Sequence, residues 1–331
     1  MTQPAPRSVI LGTGSALPSK VVTNDDLAKI VDTSDEWITS RTGIRERRVL
    51  EDSKATSDLA LLASERALEN AGLDVADLDA IIAGTCTPDY QFPSLGCVLE
   101  GKLGAKEVFS FDVNAACSGF LNALSVADLF IRSGRINNAL VVGSDVLSRY
   151  LDWQDRSTCI LFGDAAGAAV LGAGENGDRG ILSTQLQTDG SYAETLYIRA
   201  GGTKKPATRE TVENREHSIY MNGKEVFKVA VRSMEDISRR VLAEAGLGVE
   251  DVSLVVPHQA NRRIIAALAA RLEIPMDKVV VNLDKYGNTS AASVPVALDE
   301  VRRAGRIADG DIVLLNAFGA GFAWGASVIR F

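Results

Sequence analysis

The chain repeats itself. "ALENAGLDVADLDAIIAGT" at 67–85 returns as "VLAEAGLGVEDVSLVVPHQ" at 241–259, with six of nineteen positions identical and most others still apolar. Each copy reads as a helix, a glycine turn and an apolar strand. Two more echoes follow in the same order. "RSGRINNALVV" (132–142) pairs with "RAGRIADGDIVLL" (303–315), and "GDAAGAAVL" (163–171) with "GFAWGASVI" (321–329). Three matches in series imply a duplicated unit, with halves 1–175 and 176–331 joined at "GAGENGDRG" (172–180).

The repeated unit is α/β. Apolar runs at 79–85, 139–144, 168–173, 253–257, 278–283 and 311–318 predict buried strands. Helical patterns at 57–71, 118–133, 224–245 and 261–272 alternate with them. The chain has 331 residues and 46% hydrophobic content, enough for a large core. No run reaches the ~18 apolar residues of a membrane span, and "MTQPAPRSVILGTGS" makes a poor signal peptide. The net charge of −8 argues against general nucleic-acid binding. Four cysteines without pair spacing predict neither a disulfide framework nor a metal cluster, and a reducing, cytoplasmic setting. "GTGSALP" (12–18) lacks the third glycine of a dinucleotide fingerprint and reads as a tight turn.

Ligands in α/β sheets bind beyond the carboxyl ends of strands, and a duplication brings matching ends together. Three candidates stand at such places. Cys117 lies in "DVNAACSGF", between a strand-like run (108–113) and a helix-like one (118–134). A thiol at a helix N-terminus is expected to ionise more readily. His258 follows the strand of the second copy, in "VVPHQANRRI"; the other histidine, His217, lies in polar "ENREHS". Asn288 sits in "DKYGNTSAASVP", opposite Cys117 when the two "GRI" tripeptides are aligned. Each has an ordinary reading alone: a buried cysteine, a core histidine, a turn asparagine. Together they supply a nucleophile and two groups able to donate hydrogen bonds to developing negative charge. The glycines of "AFGAGFAWGASVIRF" (317–331) suit either an oxyanion hole or a tight strand connection.

Four motifs, "DVNAACSGF", "VPHQANRRI", "YGNTSAASVP" and "FGAGFAWG", resemble in order and spacing β-ketoacyl-[acyl-carrier-protein] synthase III, as do 33–48 and 155–171. The resemblance spans essentially the whole chain. It implies the thiolase fold: two duplicated α/β halves in five α-β-α-β-α layers. It implies that Cys117 takes an acyl group from acyl-CoA and that malonyl-carrier protein then condenses with it, losing CO₂. His258 and Asn288 would stabilise the enolate, and the backbone N–H groups of Cys117 and Ala320 would form the oxyanion hole. Many relatives carry glycine at the position of Ala320, so a need for positive φ there would disqualify it. The resemblance places CoA on Trp37, Arg41, Arg156 and Asn261, and sends Phe92 into the acyl pocket of a partner in a homodimer. No permanent cofactor, metal, nucleic acid or membrane is implied.

Carrier proteins are acidic, so a chain of net charge −8 needs a local basic patch to attract one. Lys224, Lys228 and Arg232 recur every four residues on a helix-like stretch, and Arg262 and Arg263 follow the His258 motif. These five form the candidate docking rim. The polar stretch 198–218 reads as a flap or a disordered insertion. Competing functions are a Cys-His-Asn thioester hydrolase, a condensing enzyme of secondary metabolism and a non-catalytic scaffold. The primer group is not legible.

Overall fold

The computed structural model describes residues 7–174 and 179–331. The centre of the proposed join, 175–178, lies outside the described residues. The amino-terminal half builds a sheet from β1 (Ser8–Ala16), β2 (Ala80–Gly84), β3 (Phe109–Val113), β4 (Asn138–Val146) and β5 (Asp164–Ala173), in the order β1-β5-β4-β2-β3. The second half supplies β6 (Gly180–Thr188), β7 (Leu254–Pro257), β8 (Ile312–Gly319) and β9 (Ala323–Arg330), in the order β6-β9-β8-β7. Directions match throughout. β2 runs parallel to β4, as β7 does to β8, while β5 is antiparallel to both β1 and β4, as β9 is to both β6 and β8. The sheets are two copies of one design. The run 278–283 does not form the expected strand; it contributes one bridge, Val255 to Val279, where β3 stands in the first half.

Among the described residues the helices of eight residues or more complete the frame: α1 (Asp35–Thr42), α2 (Thr56–Ala71), α3 (Leu95–Leu103), α4 (Gly119–Arg132), α5 (Gly223–Glu244), α6 (Arg262–Leu272) and α7 (Ser293–Arg303). α2 packs on β1 and β5, and α5 packs on β9 and β6. α4 and α7 lie between the sheets and touch both. Buried apolar residues separate accordingly into one cluster under α2, one around the central helices and one under α5 and α6. This is the five-layer thiolase arrangement.

The repeated glycines have a definite task. Gly72 and Gly246 follow α2 and α5 at φ 68° and 72°, the left-handed region that β-carbons disfavour. Gly12 and Gly14 correct the reading of a turn: both lie inside β1. A Cβ there would stand 2.4 Å from the carbonyl oxygen of Ala67 and 2.3 Å from that of Ala63. Together with the small alanines of α2, they let helix and strand backbones touch.

The alignment on "GRI" also needs correction at the site itself. Short helical turns Ala116–Ser118 and Ser290–Ala292 lead directly into α4 and α7. Each opens with a non-glycine residue at positive φ, 46° at Ala116 and 52° at Ser290. The counterpart of Cys117 is therefore Ala291. α4 has 14 residues and α7 has 11, which throws the later tripeptides out of register.

Candidate active site

Cys117 sits in the turn between β3 and α4 and is 7% exposed. Its sulfur accepts a hydrogen bond from Ser290 Oγ at 3.4 Å. Burial pushes the thiol up to about 12; the Ser290 bond opposes this and the charge of Asp145 adds to it. The helix-terminus expectation of easy ionisation therefore fails, because desolvation outweighs the favourable contacts. The resting group is a thiol.

His258 is positioned by the end of β7. Its backbone N–H donates to Asn316 O on β8 at 2.8 Å, and its ring Nδ1 lies 2.6 Å from Ser293 Oγ. Burial drives its pKa down to about 3, so the ring is neutral at pH 7. Asn288 is 7% exposed, and its Oδ1 accepts from Ser290 N at 2.9 Å. That bond fixes the flip of the amide, because only oxygen can accept there. The Asn288 NH₂ is left as a donor, with no protein partner among the described residues.

Two cavities meet at Cys117. One, of about 330 Å³, is lined by Cys117, His258, Asn288 and Phe318, and also by Trp37, Arg41, Arg156 and Asn261. The other, of about 660 Å³, continues past Cys117 between Cys86, Leu147, Phe162, Ile198, Ile219 and Ala320. Ala320 is absent from the residues with φ above zero, so its alanine side chain is no obstacle. Gly319 is under stronger constraint: a Cβ there would stand 2.6 Å from the backbone nitrogen of Cys117.

The outer end of the first cavity is cationic and aromatic. Ser34 caps α1 by accepting from Trp37 N, and α1 carries Trp37 and Arg41 four residues apart on one face. Arg41 lies 4.4 Å and Arg156 5.1 Å from the Trp37 ring centroid. Arg156 is also held by Asp32, through O at 2.9 Å and Oδ2 at 3.1 Å. Asn261 caps α6: its Oδ1 accepts from Arg263 N at 2.8 Å while its Nδ2 donates to Arg41 O at 3.1 Å.

Lys224, Lys228, Arg232, Arg262 and Arg263 are all exposed on α5 and α6, and none is in an ion pair among the described residues. Val226, Phe227 and Ile264 of the same helices line the first cavity. Phe92 is not brought to either cavity: it is 85% exposed. The stretch 198–218 takes regular structure. It closes as a hairpin, Leu196–Ile198 with Ile219–Met221, and carries a short helix Arg209–Glu213. Leu196 lines both cavities.

Sequence reasoning missed Ser290, Ser293 and Asp145. Buried Asp145 on β4 accepts from Cys86 N at 2.9 Å and Ala291 N at 3.1 Å, tying the two halves beneath Cys117. The serines stood in a motif already singled out, but nothing in spacing says which hydroxyl reaches which neighbour. Among the described residues no group of three or more His, Cys, Asp or Glu could hold a metal, and no helix is long and apolar enough to cross a membrane.

Comparison with known proteins agrees with this geometry. Residues 111–190 match the 3-oxoacyl-[acyl-carrier-protein] synthase III family, and residues 242–331 match its C-terminal region. A β-ketoacyl-[acyl-carrier-protein] synthase III of Caldanaerobacter subterraneus is 54% identical over 321 residues, covering 97% of each chain. One from Xanthomonas campestris is 53% identical over 98% of each chain. The crystal structure of the Aquifex aeolicus 3-oxoacyl-[acyl-carrier-protein] synthase III superposes with a TM-score of 0.90 at 49% identity, over 98% of this chain and 100% of that one. Likeness of this extent, on a chain whose cysteine, histidine and asparagine line one cavity, makes it a member of the β-ketoacyl-[acyl-carrier-protein] synthase III family.

Proposed function

We infer that the chain transfers an acyl group from acyl-CoA to Cys117 and condenses it with malonyl-carrier protein, the priming step of fatty-acid synthesis. The observation that carries this reading is the first cavity, which runs from Trp37, Arg41 and Arg156 at its outer end to Cys117, His258 and Asn288 at its floor. Planar guanidinium groups beside an indole suit a purine and its phosphates. The second cavity offers the acyl chain a separate apolar room on the far side of the sulfur.

The roles follow from chemistry. In acylation the Cys117 sulfur bonds to the thioester carbon, the bond to CoA sulfur breaks, and the thiol proton ends on released CoA. The backbone N–H groups of Cys117 and Ala320 hold the tetrahedral oxyanion. Malonyl-carrier protein then enters the first cavity and loses CO₂. Its enolate oxygen is stabilised by two donors, Asn288 Nδ2 and the His258 ring. The enolate carbon bonds to the acyl carbon, the bond to Cys117 breaks, and the sulfur takes up a proton. A neutral histidine suits this task, since a donor is needed and a permanent charge is not. A hydrolase and a condensing enzyme share the acyl-enzyme step and part at the acceptor, water or a carbanion.

Lys224, Lys228, Arg232, Arg262 and Arg263 would guide the acidic carrier to the mouth. β3 ends its sheet with a free edge, beside exposed Phe109 and Leu129. Such an edge invites pairing with a second copy, and Phe92 would then reach the partner's acyl cavity. The free thiols, exposed Cys97 among them, fit a reducing cytoplasm. The test is to supply acyl-CoA with malonyl-carrier protein and follow CO₂ and β-ketoacyl product. Product formation is expected; hydrolysis of acyl-CoA without condensation would overturn the reading.

A further inference from the structure

The neutral ring of His258 carries one proton, and its position decides what the ring can do. On Nε2 it makes the ring a donor into the cavity. On Nδ1 it leaves Nε2 a bare acceptor. We propose that Ser293 is a positioning residue that fixes this choice: its hydroxyl donates to His258 Nδ1 and so holds the ring proton on Nε2. The inference rests on the reading of His258 as an enolate donor given above.

Ser293 opens α7 and is 2% exposed; His258 is 3% exposed. The separation of 2.6 Å leaves room for one proton between Oγ and Nδ1. The Ser293 backbone N–H is committed to Ser290 O. Among the described residues the Ser293 hydroxyl has no polar partner other than Nδ1. If Nδ1 donated, the hydroxyl hydrogen would be buried without an acceptor, at a cost comparable to a lost hydrogen bond. With the hydroxyl donating, both groups are satisfied. His258 Nε2 has no protein partner among the described residues, and His258 lines the cavity, so its N–H remains free for a substrate oxygen.

The arrangement also explains why the serine comes from α7. The same segment carries Asn288 and Ser290, and Ser290 N orients Asn288. One short stretch of the second half thus holds both donors that line the cavity. A change of tautomer would remove one donor and leave the sulfur untouched.

Nitrogen-15 spectra of histidine-labelled protein test this without substrate, because protonated and bare ring nitrogens resonate far apart. The chain has only two histidines, and His217→Asn identifies the signals of the other. In the unaltered protein His258 should show a protonated Nε2 and a bare Nδ1. Ser293→Ala should populate the opposite tautomer. It should slow condensation by about 10- to 100-fold while acyl-enzyme formation changes less than about threefold. Ser293→Thr, which keeps the hydroxyl, should restore both tautomer and condensation. A protonated Nδ1 in the unaltered protein, or Ser293→Ala with the tautomer unchanged, overturns the proposal. Absence of condensation in the unaltered protein would defeat the functional reading instead, and the spectra would still decide this one.

Discussion

Ser290 Oγ donates a hydrogen bond to Cys117 Sγ across 3.4 Å, joining residues 173 positions apart and from opposite halves of the duplication. Ser290 holds φ at 52°, where a non-glycine residue is disfavoured, and its backbone N–H orients Asn288. Strain retained at such a point marks a geometry that the surrounding structure enforces. Replacing Ser290 with Ala keeps the backbone and removes the donor. The resting sulfur is neutral, but negative charge develops on it as it attacks the thioester, and a hydrogen bond to a charged group contributes about 1.5–3 kcal/mol. Acylation of Ser290→Ala by acyl-CoA should therefore slow by about 10- to 100-fold, measured by rapid quench, with thermal stability nearly unchanged.

The buried thiol predicts an unusual pH profile. With its pKa pushed up to about 12, Cys117 is protonated across the working range. Alkylation of the free enzyme at Cys117 by iodoacetamide, followed by peptide mapping, should rise about tenfold per pH unit up to pH ~10. Levelling below pH ~9 would contradict the account. Exposed Cys97 provides the internal comparison.

His258 makes the fold acid-sensitive. The unfolded ring takes a proton near 6.5, whereas the folded one stays neutral to about 3. Below 6.5 the unfolded state binds more protons, so stability is lost as pH falls from there towards 3. The loss approaches ~1.4 kcal/mol per pH unit. His258→Gln should flatten that slope in urea unfolding between pH ~6 and ~5. An unchanged slope would show that the ring ionises normally.

The basic rim predicts a separation of substrates. Lys228→Glu with Arg263→Glu should raise the KM for malonyl-carrier protein by about tenfold and leave acyl-CoA thiolysis within about twofold. Added salt should shrink the difference. Equal effects on both substrates would count against the rim.

Periodicity and repetition made the frame legible. The helix–glycine–strand repeat placed α2 with β2 and α5 with β7, because both copies obey one rule of burial. The strands β1 and β6 escaped notice: Gly12 and Gly14 read as turn residues, yet they are glycine because α2 lies against them. The run 278–283 has strand composition, but only Val279 pairs. Cys117, His258 and Asn288 were legible because loops after strands converge. Their supports were not. Whether Ser290 reaches a sulfur, or Ser293 a ring nitrogen, depends on tenths of an ångström between segments far apart in the chain. The helix terminus does not ease ionisation of Cys117 for the related reason that burial, which raises its pKa, is a tertiary property.

The central claim is that Cys117 carries the acyl group and surrenders it to a carbanion formed above the same floor. Its most direct measurement is the intact mass of the protein after acyl-CoA, then after malonyl-carrier protein, with the adduct located by peptide mapping. The account predicts one acyl group on the Cys117 peptide, discharged as β-ketoacyl product by malonyl-carrier protein, and none in Cys117→Ser. An acyl group found on another residue, or lost only to water, would contradict it.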